Sequence, residues 1–430
     1  MKPRILAGVA LLSLALTSLA QTTATPETTS ETMPKTTAEK KIEPAKVAPA
    51  MDEAAFAQCR AELITEAEAQ HISRGTIDQA LAKVQLSHRV IELDRQQPEF
   101  STTFADYLNR RVTTARVEEG RKLLAQHRAL LNRVSSQYGV PVQYLVAFWG
   151  LETNYGSYFG KMSVLDSLAT LACDPRRSEY FTGELMDALR IIDEGAIKPE
   201  RMEGSWAGAM GHVQFMPSAF LRHAVDYDGD NKRDLWNSIP DAMGSAAHFL
   251  QNLGWEKGSR WGREVKLPEG FTYLEAGLNN HRPLAEWHKL GVRQANGSAL
   301  PTADLKAALL VPAGHQGPAF LVYDNFNVIM RWNRSEYYAL AVGHLADRII
   351  GAGELIQAPP TDAPRLHRDH VINLQEKLQQ AGIESVEADG IFGPATRRAL
   401  GEFQQKHGLI ADGFPSATVL QLLGVEVRLQ

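Results

Sequence analysis

The stretch VPVQYLVAFWGLETNYGSY, residues Val140 to Tyr158, decides how the rest of the chain is read. Pro141 suits a first helical position, Leu145, Phe148, Trp149 and Glu152 follow at helical spacing, and Gly156 can supply a left-handed stop. The spacing predicts a helix over about 141–154, apolar except for one carboxylate in its last turn. That carboxylate, Glu152, faces the negative pole of the helix dipole and has Phe148 and Trp149 one turn back, and both influences favour its protonated form. A carboxyl kept protonated near neutral pH is what a general acid requires. A solvated glutamate at a helix end fits this stretch equally well when it is taken alone.

The 430 residues suffice for two or three domains, and 44% hydrophobic content is ample for a globular core. With 45 basic against 50 acidic residues there is no broad basic field, so nucleic acid is not an expected partner. Residues 1–20 carry Lys2 and Arg4, then a Leu/Ala/Val run, then Ser18, Leu19 and Ala20, the parts of a secretory signal. No cysteine follows the cleavage point to accept a lipid, and no later apolar run approaches the roughly eighteen residues of a membrane span. A soluble, periplasmic, monomeric protein is expected. Cys59 and Cys173 are the only cysteines, and export leaves two states open: one disulfide, or two separately buried thiols.

Residues 21–52 are rich in Thr, Pro, Ala, Glu and Lys and cannot bury enough surface to offset chain entropy, so they read as a disordered tether. Residues 53–351 are mainly helical in pattern, with strand-like pieces at Arg263 to Leu267 and Ala319 to Val322. The run AGELIQAPPTDAP, 352–364, marks a linker. Residues 365–425 then form a small module of three amphipathic helices. It contains an echo: Ala388-Asp389-Gly390 before Pro394-Ala395-Thr396, and Ala411-Asp412-Gly413 before Pro415 and Ala417-Thr418. Each copy reads as an Asp-Gly turn feeding a helix start.

Two further stretches carry chemistry. In SWAGAMGHVQFMPSAF, Ser205 to Phe220, small residues would let backbone approach a flat ligand while Trp206, Gln214 and Phe215 supply aromatic faces and an amide. Close helix packing explains the small residues as well. In Asp226-Tyr227-Asp228-Gly229-Asp230-Asn231-Lys232, carboxylates at loop positions 1, 3 and 5 and the Lys232 carbonyl at 7 make most of an EF-hand-like oxygen set. Asn231 replaces the usual glycine, and Asn237 stands where a bidentate Glu would be. Asp241 could close the site. A structural calcium ion is favoured over a solvated acidic loop, and no cofactor is expected for the chemistry.

Gly150-Leu151-Glu152-Thr153-Asn154-Tyr155-Gly156, Asp174-Pro175-Arg176-Arg177-Ser178-Glu179-Tyr180-Phe181 and Ala207-Gly208-Ala209-Met210-Gly211-His212-Val213-Gln214-Phe215-Met216-Pro217 together resemble the lytic murein transglycosylase B family, over nearly all of 53–350. The resemblance implies a mainly α, lysozyme-like domain with a small β element, cleaving the MurNAc–GlcNAc bond of peptidoglycan. It implies Glu152 as sole acid and base, with Ser205 and Gln214 lining the sugar subsites and Arg176 and Arg177 toward the stem peptide; Phe215 and Tyr155 are taken beside them as candidate substrate contacts. The later run Arg331-Trp332-Asn333-Arg334-Ser335-Glu336-Tyr337-Tyr338 is similar to a third active-site segment, which adds Asn333 and Tyr338. Phe249 and Trp332 stand where family members can carry Tyr, so stacking on sugar is expected there and a hydroxyl contact is not. The resemblance also supports a calcium loop extended to Asp241. The C-terminal module, with Asp389-Gly390-Ile391-Phe392-Gly393-Pro394 and Phe403-Gln404, resembles a three-helix peptidoglycan-binding domain.

The expected activity is therefore non-hydrolytic cleavage to 1,6-anhydro-MurNAc ends, with glycan strands and stem peptides as ligands and cell-wall synthesis proteins as candidate partners. A hydrolytic muramidase and a non-catalytic wall-binding protein are the alternatives.

Overall fold

A computed structural model describes residues 51–96 and 102–427. The expected signal segment and nearly all of the expected tether lie outside the described residues. Seventeen α-helices and two small sheets make up the described part, which bears out a mainly α architecture.

The core is laid around the helix Val142–Thr153, in which nine residues from Tyr144 to Thr153 are buried and Glu152 is half-buried. A helix apolar on every side must be enclosed on every side. It packs against Glu336–Ile349, Thr114–Gln126, Arg128–Tyr138 and Ile239–Asn252. Phe148 and Trp149 are almost wholly enclosed, each contributing on the order of 1.5–3 kcal/mol by burial. Its bounds differ slightly from the expected ones. Pro141 is the extended residue before the first turn rather than within it, and the left-handed stop begins two residues early. Asn154, Tyr155 and Gly156 have φ of 48°, 61° and 79° in succession, a sharp reversal that Asn and Gly tolerate best. Only glycine fits at 156, because a Cβ there would lie 2.3 Å from the His212 ring.

Cys59 and Cys173 are bonded, which resolves the open alternative and ties the first described helix, Glu53–Ala69, to Val164–Cys173. The larger sheet has five strands in the order Arg282–Pro283, Lys306–Leu310, Ala319–Val322, Gly262–Lys266, Arg293–Gln294, all antiparallel. It covers a satellite core that includes Trp287, Leu309, Leu321 and Tyr323. Lys306–Leu310 escaped the sequence reading because all but its first residue is buried, leaving no alternation to see.

The C-terminal module has the expected three helices, Arg368–Gln380, Pro394–Lys406 and Ala417–Leu423, around its own core. It docks through Arg365 to Asp106 (2.8 Å), Arg397 to Glu336 (2.6 Å) and His315 to Asp412 (2.6 Å). A cavity of about 510 Å³ lies along this seam, lined by residues including Tyr273, Tyr337, Phe392 and Phe414. The connecting segment is strapped down: the amides of Ile356 and Gln357 donate to the Glu264 carboxylate on the sheet.

Candidate active site

Three elements converge on Glu152. Its own helix ends one residue later, Asp324–Trp332 delivers Trp332, and Glu336–Ile349 delivers Tyr338. The bend between the last two is shaped by Asn333, whose Oδ1 accepts from the Ser335 amide, while the Ser335 hydroxyl accepts from the Tyr338 amide. The Trp332 indole Nε1 donates to Glu152 Oε1 at 2.9 Å, and the Tyr338 hydroxyl donates to the same oxygen. Both donors meet the same oxygen, so Oε1 is held as an acceptor and the plane of the carboxyl is fixed.

This alters the electrostatic reading of the helix end. The Leu151 carbonyl accepts from Arg111 Nη1 at 3.3 Å, and those of Trp149, Gly150 and Thr153 accept from the amides of Tyr155, Asn154 and Tyr158. The negative pole is thus largely discharged by local bonds rather than presented to Glu152. Trp332 and Tyr338 add two hydrogen bonds to the carboxyl that the helix alone did not contain. Burial, with the Glu152 charge second, pushes the Tyr338 phenol well above its ordinary range, so it stays a neutral donor at any working pH. Arg111 carried no signal in the sequence; it comes in on the separate helix Phe104–Arg111.

The aromatic groups sort into two roles. Trp332 packs on Phe148 (4.6 Å between centroids), Phe249 (5.1 Å) and Phe215 (5.5 Å). Trp332 and Phe249 are half-buried, so each retains a face. Phe215 does not: it is 2% exposed and serves as the wedge behind them, which corrects its expected place against the sugar. Tyr155 is corrected likewise, since it is 9% exposed, packs edge-on against Trp149 and spends its hydroxyl on the Arg116 carbonyl at 2.7 Å. Trp332 also departs from expectation by supplying a polar contact, through N–H instead of O–H.

The segment after Ser205 is a tight reversal in which Met210 bridges both Gly204 and Phe215. Glycine is needed where the reversal begins, because a Cβ on Gly204 would sit 2.2 Å from the Ala209 carbonyl oxygen. The Ser205 hydroxyl accepts from the amide of Ala209 at 3.0 Å, and Ser205 stays half-buried. Gln214 is held at φ 50° with its amide nitrogen donating to the carbonyls of Phe159 and Gly211, which fixes where its Oε1 stands. His212 locks this reversal to the acid's helix: Trp149 Nε1 donates to His212 Nδ1 at 2.9 Å, and the Thr153 hydroxyl bonds the His212 carbonyl at 2.8 Å. Burial pushes the His212 pKa down to about 4, so the ring remains the neutral acceptor that Trp149 needs.

Arg176 and Arg177 both bond the Asp94 carboxylate, whose side chain is 4% exposed, while their own remain 45% and 39% exposed. The pair is thus anchored by a buried counter-charge and shows its outer nitrogens to solvent. In the acidic loop, oxygens of Asp226, Asp228 and Asp230 lie within 4.8 Å of one another. Asn231 takes the left-handed conformation, φ 68°, that the missing glycine would have supplied. Asp241 lies outside this cluster of three and is fully buried, with Oδ1 accepting from the amides of Tyr227 and Asp228 and Oδ2 from that of Asp234, so it braces the loop from beneath.

Residues 55–347 match the transglycosylase SLT domain family, and 367–423 match a peptidoglycan binding domain. The membrane-bound lytic murein transglycosylase B of Escherichia coli (strain K12) is 34% identical over 256 residues, covering 56% of this chain and 66%, just under two thirds, of that relative. SltB3 from Pseudomonas aeruginosa, solved with NAG-anhNAM-pentapeptide, is 44% identical with a TM-score of 0.83, covering 86% of this chain and 99% of that one. Slt35 from E. coli, solved with calcium, is 32% identical with a TM-score of 0.58, covering 68% and 92%.

Proposed function

Because this chain belongs to the transglycosylase SLT domain family, and with it is a lytic transglycosylase of peptidoglycan, we propose that Glu152 alone serves as its acid and then its base. The observation that carries this is the pinning of Oε1 by two neutral donors at the end of an otherwise apolar, buried helix, which fixes the orientation of the one carboxyl that the converging elements share. Glu152 protonates the departing glycosidic oxygen while the N-acetyl group of MurNAc closes on C1. The resulting carboxylate removes the proton of the C6 hydroxyl as that oxygen attacks C1 and releases the acetamido group, so the proton returns to Glu152. The nucleophile belongs to the same ring, so proximity replaces both water and a second carboxylate. Phe249 and Trp332 offer their remaining faces to the sugar, with Ser205, Gln214 and Asn333 as polar contacts and Arg176 and Arg177 for stem-peptide carboxylates.

Sacculi digested with the purified chain should release muropeptides ending in 1,6-anhydro-MurNAc, seen by mass spectrometry as products lacking one water. Reducing ends alone would make the enzyme a hydrolytic muramidase. Among the described residues no helix is long and apolar enough to cross a membrane. The substrate places the enzyme at the cell wall, and the opening segment is read as its export signal.

The acidic loop is assigned to a structural calcium ion. Three converging carboxylates repel one another unless a cation stands between them, and the backbone amides that now line Asp226 and Asp230 leave further oxygen lone pairs. Asp226, Asp228 and Asp230 would hold it, with the Lys232 carbonyl. Calcium at a hundredfold excess over its dissociation constant should then stabilise metal-stripped protein by about 2.7 kcal/mol, read as a rise in melting temperature. A flat melting temperature through millimolar calcium removes the assignment.

A further inference from the structure

The three-helix module is built from two copies of one hydrogen-bonding unit. In the first, Gln375 Oε1 accepts from the Gly390 amide (2.9 Å), its Nε2 donates to Asp389 Oδ1 (2.8 Å), and that same Oδ1 accepts from the Ile391 amide (2.8 Å). In the second, Gln404 Oε1 accepts from Gly413 (2.7 Å), its Nε2 donates to Asp412 Oδ1 (2.7 Å), and Oδ1 accepts from Phe414 (2.9 Å). Arg368 stands before Gln375 as Arg397 stands before Gln404.

The second copy shows what the outer face of this unit grips. Asp412 Oδ2 accepts from the His315 amide (2.9 Å) and meets its ring Nδ1 (2.6 Å), Phe414 lies against Gly314, and Arg397 pairs with the Glu336 carboxylate. Its occupant is thus a glycine with no room for a methyl group, a peptide N–H, a group able to carry positive charge, and a nearby carboxylate. The first copy repeats the three gripping groups as Asp389, Ile391 and Arg368. All three are exposed, Ile391 to 62%, and none has a hydrogen bond or ion pair to the catalytic domain among the described residues.

We propose that the Arg368–Asp389–Ile391 face is a docking site for the stem peptide of peptidoglycan. That ligand has matching chemistry: a backbone amide and the ammonium of a diamino acid for Asp389 and carboxylates for Arg368, with Ile391, smaller than the Phe414 of the twin, facing the alanine methyls. The proposal rests on the reading of the module as wall-binding. One copy of the unit then fastens the module to the enzyme while its twin holds substrate, so the peptide of one part of the wall is kept near Glu152 without contacts at the reacting bond.

The test uses the full chain carrying Glu152→Gln, with a sugar-free pentapeptide as probe and the amide resonances of Gly390 and Ile391 as readout, so that binding in the catalytic site is not counted. The parent should show saturable shifts. Asp389→Asn, which keeps the Oδ1 acceptor and hence the turn, should weaken binding roughly tenfold or more, and Ile391→Ser should weaken it without touching the carboxylate. Unchanged affinity in both variants, or no shifts in the parent, overturns the proposal. The underlying reading fails separately, if the parent does not sediment with intact sacculi.

Discussion

Replacement of Glu152 by Gln should lower the rate of anhydro-muropeptide release by at least about three orders of magnitude, because one substitution removes both general acid and general base. Gln is the informative choice, since its Oε1 can still accept from Trp332 and Tyr338 and the packing of Val142–Thr153 is untouched. Melting temperature and sacculus binding should therefore stay near those of the parent while turnover is lost. Glu152→Asp makes the companion experiment: it keeps the acid but withdraws it by one methylene, away from both donors, and should recover only a small part of the rate. A Glu152→Gln protein within tenfold of the parent would mean that another group performs the proton transfers.

The residues that could be read in the sequence share a physical cause. Glu152 stood out because a carboxylate in an otherwise apolar helix needs explaining, and the helix itself because its apolar residues wrap all round. The three-helix module and its repeated Asp-Gly turns were visible because turn chemistry is local. What stayed hidden depends on contacts between distant segments. The Cys59 bond, the wedge role of Phe215 and the buried hydroxyl of Tyr155 are set by what the chain folds against, which no window of residues contains. Asp241 is a related case: its position after the acidic loop suggested a place beside the other carboxylates, whereas the fold buries it beneath the loop, outside their cluster. Burial foremost raises its carboxyl pKa and the backbone amides of the loop lower it.

Trp332→Phe and Tyr338→Phe should each reduce kcat by roughly ten- to a hundredfold, with a change in pH dependence that a merely structural ring would not produce. Each donor stabilises the ionised form of Glu152, so its removal raises the pKa of that acid. The first step needs Glu152 protonated; activity is present below that pKa and lost as pH rises through it. The alkaline limb of kcat/KM should consequently move to higher pH in both variants. Trp332→Tyr, which restores a hydroxyl near the same oxygen, should move it back. Because both donors meet Oε1, losing the first frees the carboxylate to turn, and the second loss then matters less. The double variant should thus fall short of the product of the two single effects. A reduced kcat with the alkaline limb fixed would make Trp332 a stacking ring and Tyr338 a packing one, and their role as donors to the acid would lose its basis.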